Sequence, residues 1–393
     1  MRLGILIESV SPESGGAFTV SDYLIKELLS THVFAQYEVY IFGPEKMKKN
    51  FISRNWKFVA FSRNKLIKHW IYFQLKSLLL KRRWARIRLG EFSLNYLLSK
   101  SKIELLWSPT PIRYSLYVPY INTVWDLGHL EVPYLPEFSN LDNDEFAFRE
   151  NKMSLIIRRA AANVVGTNFL KQKIIDTYRI SEKRVTVAGI PSHQILNQTP
   201  PQKSAKSFLY PAQFWAHKNH VTLLKAIAIL RNEYFLNVSL RLVGSDRGSL
   251  KTVRYWIKNL GLCESVTIYD YVTSEELASL YRDSFALIFP SLLGPENLPP
   301  AEGLAFGCQV LVADVEGARE VYAQNVKYFN PLDATDIAKV MLSILDQPVE
   351  NFEITNDTSR LTTFCSAQDY LAKILDIIKF LSAELDLNLV KSN

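Results

Sequence analysis

The stretch 287–314 combines polar side chains with turn residues in a pattern that can bind an anion. It reads as a short buried strand, a turn rich in Gly and Pro, a short helix and a second buried strand. Pro299 and Pro300 fit the first turn of that helix, where a missing N–H costs nothing. Apart from the two prolines, the free N–H groups from Leu298 to Glu302 lie at the positive end of the helix dipole, so the turn predicts a phosphate site.

A carboxylate in the first turn of this helix narrows the kind of ligand. Glu302 would repel a phosphate, but an ionised carboxylate can accept hydrogen bonds from both hydroxyls of a vicinal diol. A phosphate beside a diol is what a nucleotide presents with its ribose. The alternative is an ordinary strand–turn–helix that binds no phosphate.

The same stretch resembles the donor-site signature of the retaining GT-B glycosyltransferases of family four, also called glycosyl transferases group 1. The form is similar to a variant among bacterial O-antigen and capsule enzymes. The resemblance lies in Leu298-Pro299-Pro300, Glu302 and Gly307-Cys308. In that family two glutamates stand eight positions apart. The second binds the ribose, as Glu302 is expected to do, and the first contacts the donor hexose.

This chain departs from the family pattern at the first glutamate, whose place is held by Gly294. Glu296, two positions later, is the expected replacement and is predicted to be catalytic. The resemblance also implies that Asn297 and Leu298 contact the nucleotide sugar.

A second turn contains a lysine that could bind the predicted phosphate. Lys218 stands between the predicted strand Ser207–Tyr210 and a predicted helix over 221–231, where a lysine is well placed to meet a diphosphate. The turn resembles the family's Arg-(x)4-Lys pair, which neutralises the leaving nucleoside diphosphate. Lys218 matches the lysine and is predicted to be catalytic and donor-binding. Gln213 holds the place of the arginine.

A third turn follows the predicted strand 120–124. Polar residues at the carboxyl end of a parallel strand lie where open sheets bind ligands. The family has His-Asp-Leu here, with the histidine facing the donor sugar. Asp126 matches and is predicted to be catalytic, whereas Trp125 holds the place of the histidine and could stack on a sugar. The alternatives are a loop cap for Asp126 and a satisfied loop histidine for His129.

The N-terminus offers a further phosphate-compatible turn. A predicted strand, Leu3–Ile7, precedes Gly15-Gly16 and then a helical pattern. The turn resembles the Gly-Gly loop that approaches the donor diphosphate in the family, which makes Gly15 and Gly16 predicted donor contacts. It is not a full G-x-G-x-x-G fingerprint, so a plain tight turn is the alternative.

No metal site is predicted. His217 and His220 have no carboxylate or cysteine close by in sequence to complete a ligand set. Asp142-Asn143-Asp144 has the Asp-x-Asp form of the other large transferase class. It lies in a polar stretch and does not follow an apolar strand, so it predicts a helix N-terminus.

The chain has 393 residues, a net charge of +7 and an uneven distribution of that charge. Fourteen Lys and Arg residues and no Asp or Glu fall between positions 46 and 90, which leaves the remainder at −7. Aromatic residues alternate with these cations, and apolar residues recur at helical spacing between 66 and 87. We expect this stretch to contact an anionic membrane surface. A solvated basic face and a nucleic-acid site are the alternatives, but no nucleic-acid-binding module is present.

The expected location is cytoplasmic, peripheral on the cytoplasmic face of the inner membrane. The three cysteines are far apart and odd in number, which indicates a reducing compartment. The first apolar run reads as a strand and not as a secretion signal. The best apolar stretch, 66–80, contains Lys68 and Lys76, so no membrane span is expected.

Strands and helices alternate through both halves, which predicts an α/β fold with two doubly wound parallel sheets. The resemblance implies the GT-B fold, in which two Rossmann-like domains face a cleft. The predicted domain ranges are an acceptor-side domain at 1–198, a nucleotide-sugar donor domain at 199–365, and a helix at 366–393 that returns to the first domain.

The resemblance implies a retaining, metal-independent hexosyltransferase that needs no cofactor. Its donor would be a GDP-, UDP- or dTDP-linked mannose, glucose-type sugar or deoxyhexose. Its acceptor would be a glycan or lipid-linked glycan of a cell-surface polysaccharide. Two alternatives stay open: a sugar-nucleotide epimerase of the same fold, and a non-catalytic binding protein, which the departures at Gly294, Gln213 and Trp125 bring into consideration.

Overall fold

A computed structural model describes most of the chain and divides it into two compact units. The described residues are 1–8, 15–51, 56–61, 67, 70–72, 74, 89–114, 116–139, 145–192, 207–345, 361 and 363–391. The first unit comprises Met1–Trp125, Phe148–Pro191 and Cys365–Asn393, and the second comprises Asp126–Ala147 and Ser192–Phe364.

The strands and helices follow one another along the chain in regular alternation. The strands are β1 Arg2–Leu6, β2 Glu38–Gly43, β3 Lys57–Ala60, β4 Leu105–Trp107, β5 Tyr120–Thr123, β6 Ala162–Val165, β7 Val185–Val187, β8 Ile190–Pro191, β9 Ser207–Pro211, β10 Ser239–Val243, β11 Val266–Tyr269, β12 Ala286–Phe289, β13 Gln309–Ala313, β14 Lys327–Phe329 and β15 Phe364–Cys365. The described helices are α1 Gly16–Ser30, α2 Lys48–Phe51, α3 Leu89–Lys100, α4 Gly128–Glu131, α5 Glu145–Arg159, α6 Asn168–Tyr178, α7 His220–Glu233, α8 Leu250–Asn259, α9 Ser274–Arg282, α10 Leu298–Ala305, α11 Ala318–Tyr322, α12 Ala334–Leu345 and α13 Ala367–Lys391.

Each unit is built on one parallel sheet. The strand order is β3-β2-β1-β4-β5-β6-β7 in the first unit and β11-β10-β9-β12-β13-β14 in the second. In both sheets the first strand of the unit is central and the chain winds outward on each side of it. The predicted fold class, α/β with two doubly wound parallel sheets, is confirmed. The carboxyl ends of all strands in a sheet therefore share one edge, where their loops can meet.

Apolar strands and helix faces form separate cores in the two units. In the second unit, Phe208, Leu209 and Tyr210 of β9 are fully buried. In the first unit, the long last helix α13 contributes to the core that contains β1. Its buried residues are Ala367, Tyr370, Leu371, Ile374 and Ile378.

The largest difference between the two units and the predicted domain ranges concerns one segment. Residues 126–147, inside the predicted range 1–198, group with the second unit. A hydrogen bond from His217 to Glu137 holds them there, and a Cβ at Gly128 would lie only 2.9 Å from the side chain of Leu293. The predicted boundary between 198 and 199 lies outside the described residues.

Helix α9 has a different N-cap from the one that its sequence suggests. Ser274 reads as the cap, but the structure places Thr273 there. The Thr273 hydroxyl accepts from the Glu276 amide at 3.2 Å, and the Glu276 carboxylate accepts from the Thr273 amide at 2.7 Å. This reciprocal capping box satisfies two N–H groups of the helix end, which the Ser274 assignment would leave without partners.

The basic stretch 46–90 is described only in part. Its residues 57–60 form β3, a strand that the pattern of cations did not predict, and β3 pairs in parallel with β2. The cations at 81–83 and 86 lie outside the described residues, as do Asp142-Asn143-Asp144. Among the helices of the described ranges, none is long and apolar enough to cross a membrane.

Gly244, directly after β10, is a position where a side chain should disturb the fold. A Cβ there would lie 2.3 Å from the carbonyl oxygen of Ala212, and this backbone cannot yield by a rotamer change. We expect Gly244→Ala to lower the free energy of unfolding by about 1–3 kcal/mol. Gly303→Ala is the matched control, because its Cβ would meet only side chains, at 3.1 and 3.2 Å, and alanine favours the helix. Chemical denaturation measures both, and equal midpoints would contradict the account.

Candidate active site

Lys218 lies in a turn between β9 and α7 and points toward two other turns of the second unit. Its Nζ donates to Asn297 Oδ1 at 2.9 Å and to Ser291 Oγ at 3.5 Å. The same ammonium lies 5.0 Å from the centre of the Phe289 ring. The Lys218 carbonyl accepts from the Tyr210 hydroxyl at 2.6 Å. The side chain is thus held where the ends of β9 and β12 meet the start of α10.

The surroundings of Lys218 leave its charge poorly solvated. Burial lowers the pKa of the Lys218 ammonium to about 8, although the charges of Asp126 and Glu137 act in the opposite direction. At neutral pH the ammonium form still predominates. Its hydrogen-bond partners are neutral, so an anionic ligand would stabilise the charge more than the groups that now contact it.

Asn219 fixes the backbone of this turn. It takes a left-handed conformation with φ of 56°, which Asn tolerates better than most residues. Its Nδ2 donates to the Pro331 carbonyl at 2.7 Å and to the Pro290 carbonyl at 3.2 Å. The Thr222 hydroxyl donates to Asn219 Oδ1 at 2.6 Å. The turn that carries Lys218 is therefore tied to the loops that follow β12 and β14.

The helix α10 begins as predicted, at a turn whose free amides are limited by two prolines. Asn297 is its N-cap, Pro299 and Pro300 lie in its first turn, and Gly307 follows its end with φ of 71°. Of the four N–H groups at a helix start that lack partners within the helix, the two prolines remove half. Asn297 and Leu298 keep theirs.

Glu302 lies in the second turn of α10, which corrects its expected place in the first. Its Oε2 accepts from the Tyr281 hydroxyl at 2.6 Å. Burial raises the pKa of the Glu302 carboxyl, and the bond from Tyr281 acts in the opposite direction. Tyr281 itself is buried and stacks on Phe306, with the ring centroids 5.0 Å apart. The position of the Glu302 carboxylate is therefore fixed by Tyr281. A bound diol would donate to the same carboxylate as the Tyr281 hydroxyl.

A hydrogen-bonded pair that the sequence did not reveal supports the lysine turn from residues 126–147. Glu137 Oε1 accepts from the His217 backbone N–H at 3.0 Å and lies 2.7 Å from His217 Nδ1. Burial raises the pKa of Glu137, but the bonds from His217 outweigh it and lower that pKa. Burial lowers the pKa of His217, so the neutral imidazole donates to an ionised carboxylate. The two residues are 80 positions apart, and no local pattern links them.

His220 is a second buried histidine beside the lysine. Its ring lies 4.7 Å from the rings of both Tyr210 and Phe214. Burial lowers the pKa of His220 to about 3, and the charge of Lys218 adds to that effect. His220 is therefore a neutral part of the core beneath the turn. Within the described ranges, no three His, Cys, Asp or Glu residues gather closely enough to hold a metal ion.

The model of a known protein family matches residues 192–360, which include Lys218, Asn297 and Glu302. This segment matches the model of the glycosyl transferases group 1 family. The predicted family resemblance is confirmed for it. The lysine turn, the Pro-rich start of α10 and Glu302 thus lie within the matched segment.

A curated relative also resembles part of this chain. An O-antigen chain mannosyltransferase, RfbU of Salmonella typhimurium, is 25% identical over 184 residues, which is 46% of this chain. The match spans 50% of that relative, so this chain aligns with about half of its length.

Two solved structures show that the fold extends over nearly the whole chain. Sucrose-phosphate synthase from Thermosynechococcus elongatus has a TM-score of 0.70 at 15% identity and covers 98% of this chain and 99% of its own. Anabaena Alr3699/HepE, in complex with UDP and glucose, has a TM-score of 0.65 at 13% identity and covers 96% and 99%. The predicted GT-B fold is confirmed.

The glycosyl transferases group 1 pattern and this chain differ at the expected hexose contact. Gly294 has φ of 68°, a conformation that would strain the glutamate of the family pattern. Glu296 is half-buried in the same turn. Burial raises the pKa of Tyr322, and the nearby charge of Glu296 adds to that effect. The Tyr322 hydroxyl donates to the Asn297 carbonyl at 2.7 Å, so Glu296 lies close to the start of α10.

Gln213, at the arginine position of the family pair, has both ends of its amide occupied. Its Nε2 donates to Ser245 Oγ and its Oε1 accepts from Trp215 Nε1, each at 3.1 Å. The guanidinium of Arg247 lies 6.0 Å from the Trp215 ring. Arg247 is therefore a second cation on this edge of the sheet, which the sequence pattern had not singled out.

Asp126 lies in the second unit and is exposed. Its Oδ1 accepts from the Gly128 amide at 2.9 Å, which agrees with the interpretation of a loop cap. Its charge still acts on Lys218 and His217. His129 is fully buried in the short helix α4, 5.8 Å from the Phe146 ring.

The remaining predicted donor contacts belong to the first unit. Gly15 is the N-cap of α1, with φ of 64°, and Gly16 is the first residue of that helix. Trp125 is half-buried after β5. Residues 9–14, which would complete the glycine turn, lie outside the described residues.

The Glu137–His217 pair should stabilise the second unit. We expect Glu137→Ala to lower the free energy of unfolding by about 1–3 kcal/mol, because two donors of His217 lose their acceptor. Glu137→Gln is the matched control, because its amide oxygen still accepts. Thermal unfolding at pH 7 compares them.

The pH dependence gives a second check of the same pair. The folded pKa of Glu137 lies below its ordinary value of 4.5, so the stability from its charge is present above pH 4.5 and is lost as the pH falls below it. The midpoints of the natural protein and of Glu137→Gln should therefore converge in acid. Identical midpoints for all three proteins at pH 7 would refute the role of the pair.

Proposed function

We propose that this chain is a glycosyltransferase that moves a hexose from a nucleotide sugar to a glycan, with retention of configuration and without a metal ion. The observation that carries the proposal is the poorly solvated ammonium of Lys218, held 2.9 Å from Asn297 at the start of α10. A diphosphate at this point would replace neutral partners with a negative charge. The family of residues 192–360 supports this chemistry.

In the proposed mechanism the protein acts mainly through fixed charges and dipoles. Lys218 stabilises the negative charge that develops on the nucleoside diphosphate as it leaves. The amides of Asn297 and Leu298 and the dipole of α10 add to this effect. Glu302 accepts from the ribose hydroxyls, and Glu296 binds the hexose.

The remaining assignments rest on the family resemblance. Asp126 is proposed as a catalytic contact beside the sugar, and Trp125, Gln213, Gly15 and Gly16 as donor contacts.

The proposed acceptor is a growing cell-surface polysaccharide. Its lipid-linked form is the best substrate for a transfer assay. RfbU, the relative matched at 25% identity, is named an O-antigen chain mannosyltransferase, which supports mannose as the first sugar to test. The complex of HepE contains UDP and glucose, which keeps UDP-linked hexoses in the panel. We propose that the basic stretch 46–90 brings the enzyme to anionic lipids on the cytoplasmic face of the inner membrane.

A donor screen tests the proposed function. Thermal unfolding is followed with GDP-mannose, UDP-glucose, UDP-N-acetylglucosamine and dTDP-rhamnose, each with and without EDTA. We expect one nucleotide sugar to raise the midpoint equally in both conditions, because ligand binding to the folded state stabilises it. Lys218→Ala should lose most of that shift. No shift with any of the four, or a shift abolished by EDTA, would count against a metal-independent transferase of this specificity.

Glu302 should act mainly on donor affinity. We expect Glu302→Gln to raise the donor KM by roughly 10-fold or more, because a bond to a charged acceptor becomes a bond to a neutral one. Tyr281→Phe is the control, since it removes the neighbouring hydroxyl and keeps the carboxylate. Steady-state kinetics with the donor found in the screen measures both. An unchanged donor KM in Glu302→Gln would remove Glu302 from the ribose site.

A further inference from the structure

Asn297 occupies the N-cap of α10 but does not cap it with its side chain. An N-cap Asn ordinarily accepts from the backbone N–H of the second or third helical residue. In α10 these residues are Pro299 and Pro300, and proline has no N–H. The amide oxygen of Asn297 therefore has no donor within its own helix.

The side-chain amide of Asn297 has its hydrogen-bond partners outside α10. Asn297 Oδ1 accepts from Lys218 Nζ at 2.9 Å, the shorter of the two hydrogen bonds of that ammonium. Asn297 Nδ2 donates to the carbonyls of Leu293 and Gly294. Because the nitrogen faces two acceptors, the amide cannot flip without placing like groups together, and the oxygen is directed to the lysine. The Tyr322 hydroxyl holds the Asn297 carbonyl at 2.7 Å.

We propose that the sequence Asn297-Leu298-Pro299-Pro300 is a device that positions Lys218. The two prolines lack the backbone N–H groups that an N-cap Asn usually binds. Asn297 instead accepts a hydrogen bond from the ammonium and holds it at the helix start. Asn297 is a positioning residue in this role, since it acts through the lysine. The inference deepens the proposed function and rests on it for the identity of the ligand, a nucleoside diphosphate.

The charges around Lys218 explain why a neutral partner suits this task. Asp126 and Glu137 are the acidic groups that act on it. His217 and His220 face it as neutral rings, because burial lowers the pKa of each. An acidic residue at position 297 would bind the ammonium too strongly to release it to a phosphate. The amide of Asn297 orients the ammonium and leaves its charge available.

The test measures the lysine directly in the donor-free protein. Lysine labelled with 13C at Cε is incorporated, and the pKa of Lys218 is read from its NMR shift against pH, with the signal assigned by its loss in Lys218→Arg. We expect Asn297→Leu to lower the pKa of Lys218 by about one unit, because the charged form loses an acceptor. Asn297→Asp should raise it by about 1–3 units.

Pro300→Ala is the decisive variant, because it leaves both Lys218 and Asn297 intact. It restores one N–H at the third helical position, which should recapture Asn297 Oδ1 and lower the pKa of Lys218 in the same direction as Asn297→Leu. Ser366→Ala is the control. Ser366 Oγ accepts from the Asp369 amide at 3.0 Å at the start of α13, so the variant removes a helix cap without touching the lysine.

Three outcomes would overturn the inference. An unchanged pKa in Asn297→Leu would show that Asn297 does not hold the ammonium. A shift in Asn297→Leu without one in Pro300→Ala would show that the prolines do not redirect the cap. An equal shift in Ser366→Ala would show that any lost cap moves the lysine. These measurements need no donor, so they stand even if no nucleotide sugar binds in the screen.

Discussion

Lys218 keeps an ammonium in a poorly solvated position, and the arrangement of the second unit depends on how that charge is held. Burial lowers its pKa to about 8, so the folded protein maintains a charge that water would stabilise better. A long, flexible lysine escapes to solvent unless its backbone and its tip are both fixed. Asn219 fixes the backbone through the Pro290 and Pro331 carbonyls, and Asn297 fixes the tip.

The start of α10 shows how the same constraint affects the neighbouring helix. A helix N-terminus usually binds an anion with its own amides. Pro299 and Pro300 remove two of these amides, although the helix dipole remains. A ligand at the start of α10 would therefore meet fewer backbone N–H groups and would depend more on the ammonium of Lys218 for positive charge. The pKa and the position of a lysine side chain depend on its hydrogen-bond partners, whereas the position of a backbone amide is fixed by the helix.

The departures from the family pattern are accommodated by the local structure. Gly294 takes φ of 68°, which suits glycine and would strain a glutamate. Gln213 uses both ends of its amide, toward Ser245 and Trp215. Arg247 lies beside Trp215 and supplies a cation that the Gln213 position lacks. Gln213 and Arg247 therefore have side-chain neighbours, whereas a Cβ at Gly294 would meet only the amide nitrogen of Asn297, at 3.8 Å.

Residues 126–147 illustrate the limit of domain assignment from residue order. Their place in the chain, between strands of the first sheet, suggests that they belong to the first unit. The bonds of Glu137 to His217 and the close approach of Gly128 to Leu293 place them with the second. A segment packs with the unit that supplies hydrogen-bond partners for its buried polar groups. Which unit does so depends on tertiary packing.

The sequence alone was enough for the α/β class, the two parallel sheets and the turns that carry Lys218 and Asn297, but it placed Glu302 one helical turn too early. The reason is that apolar periodicity and the effects of Gly and Pro act over a few neighbouring residues. The tertiary structure was needed to pair Lys218 with Asn297, 79 positions away, and His217 with Glu137, 80 positions away. Such contacts depend on which strand ends meet at one edge of a sheet, and no local pattern encodes that meeting.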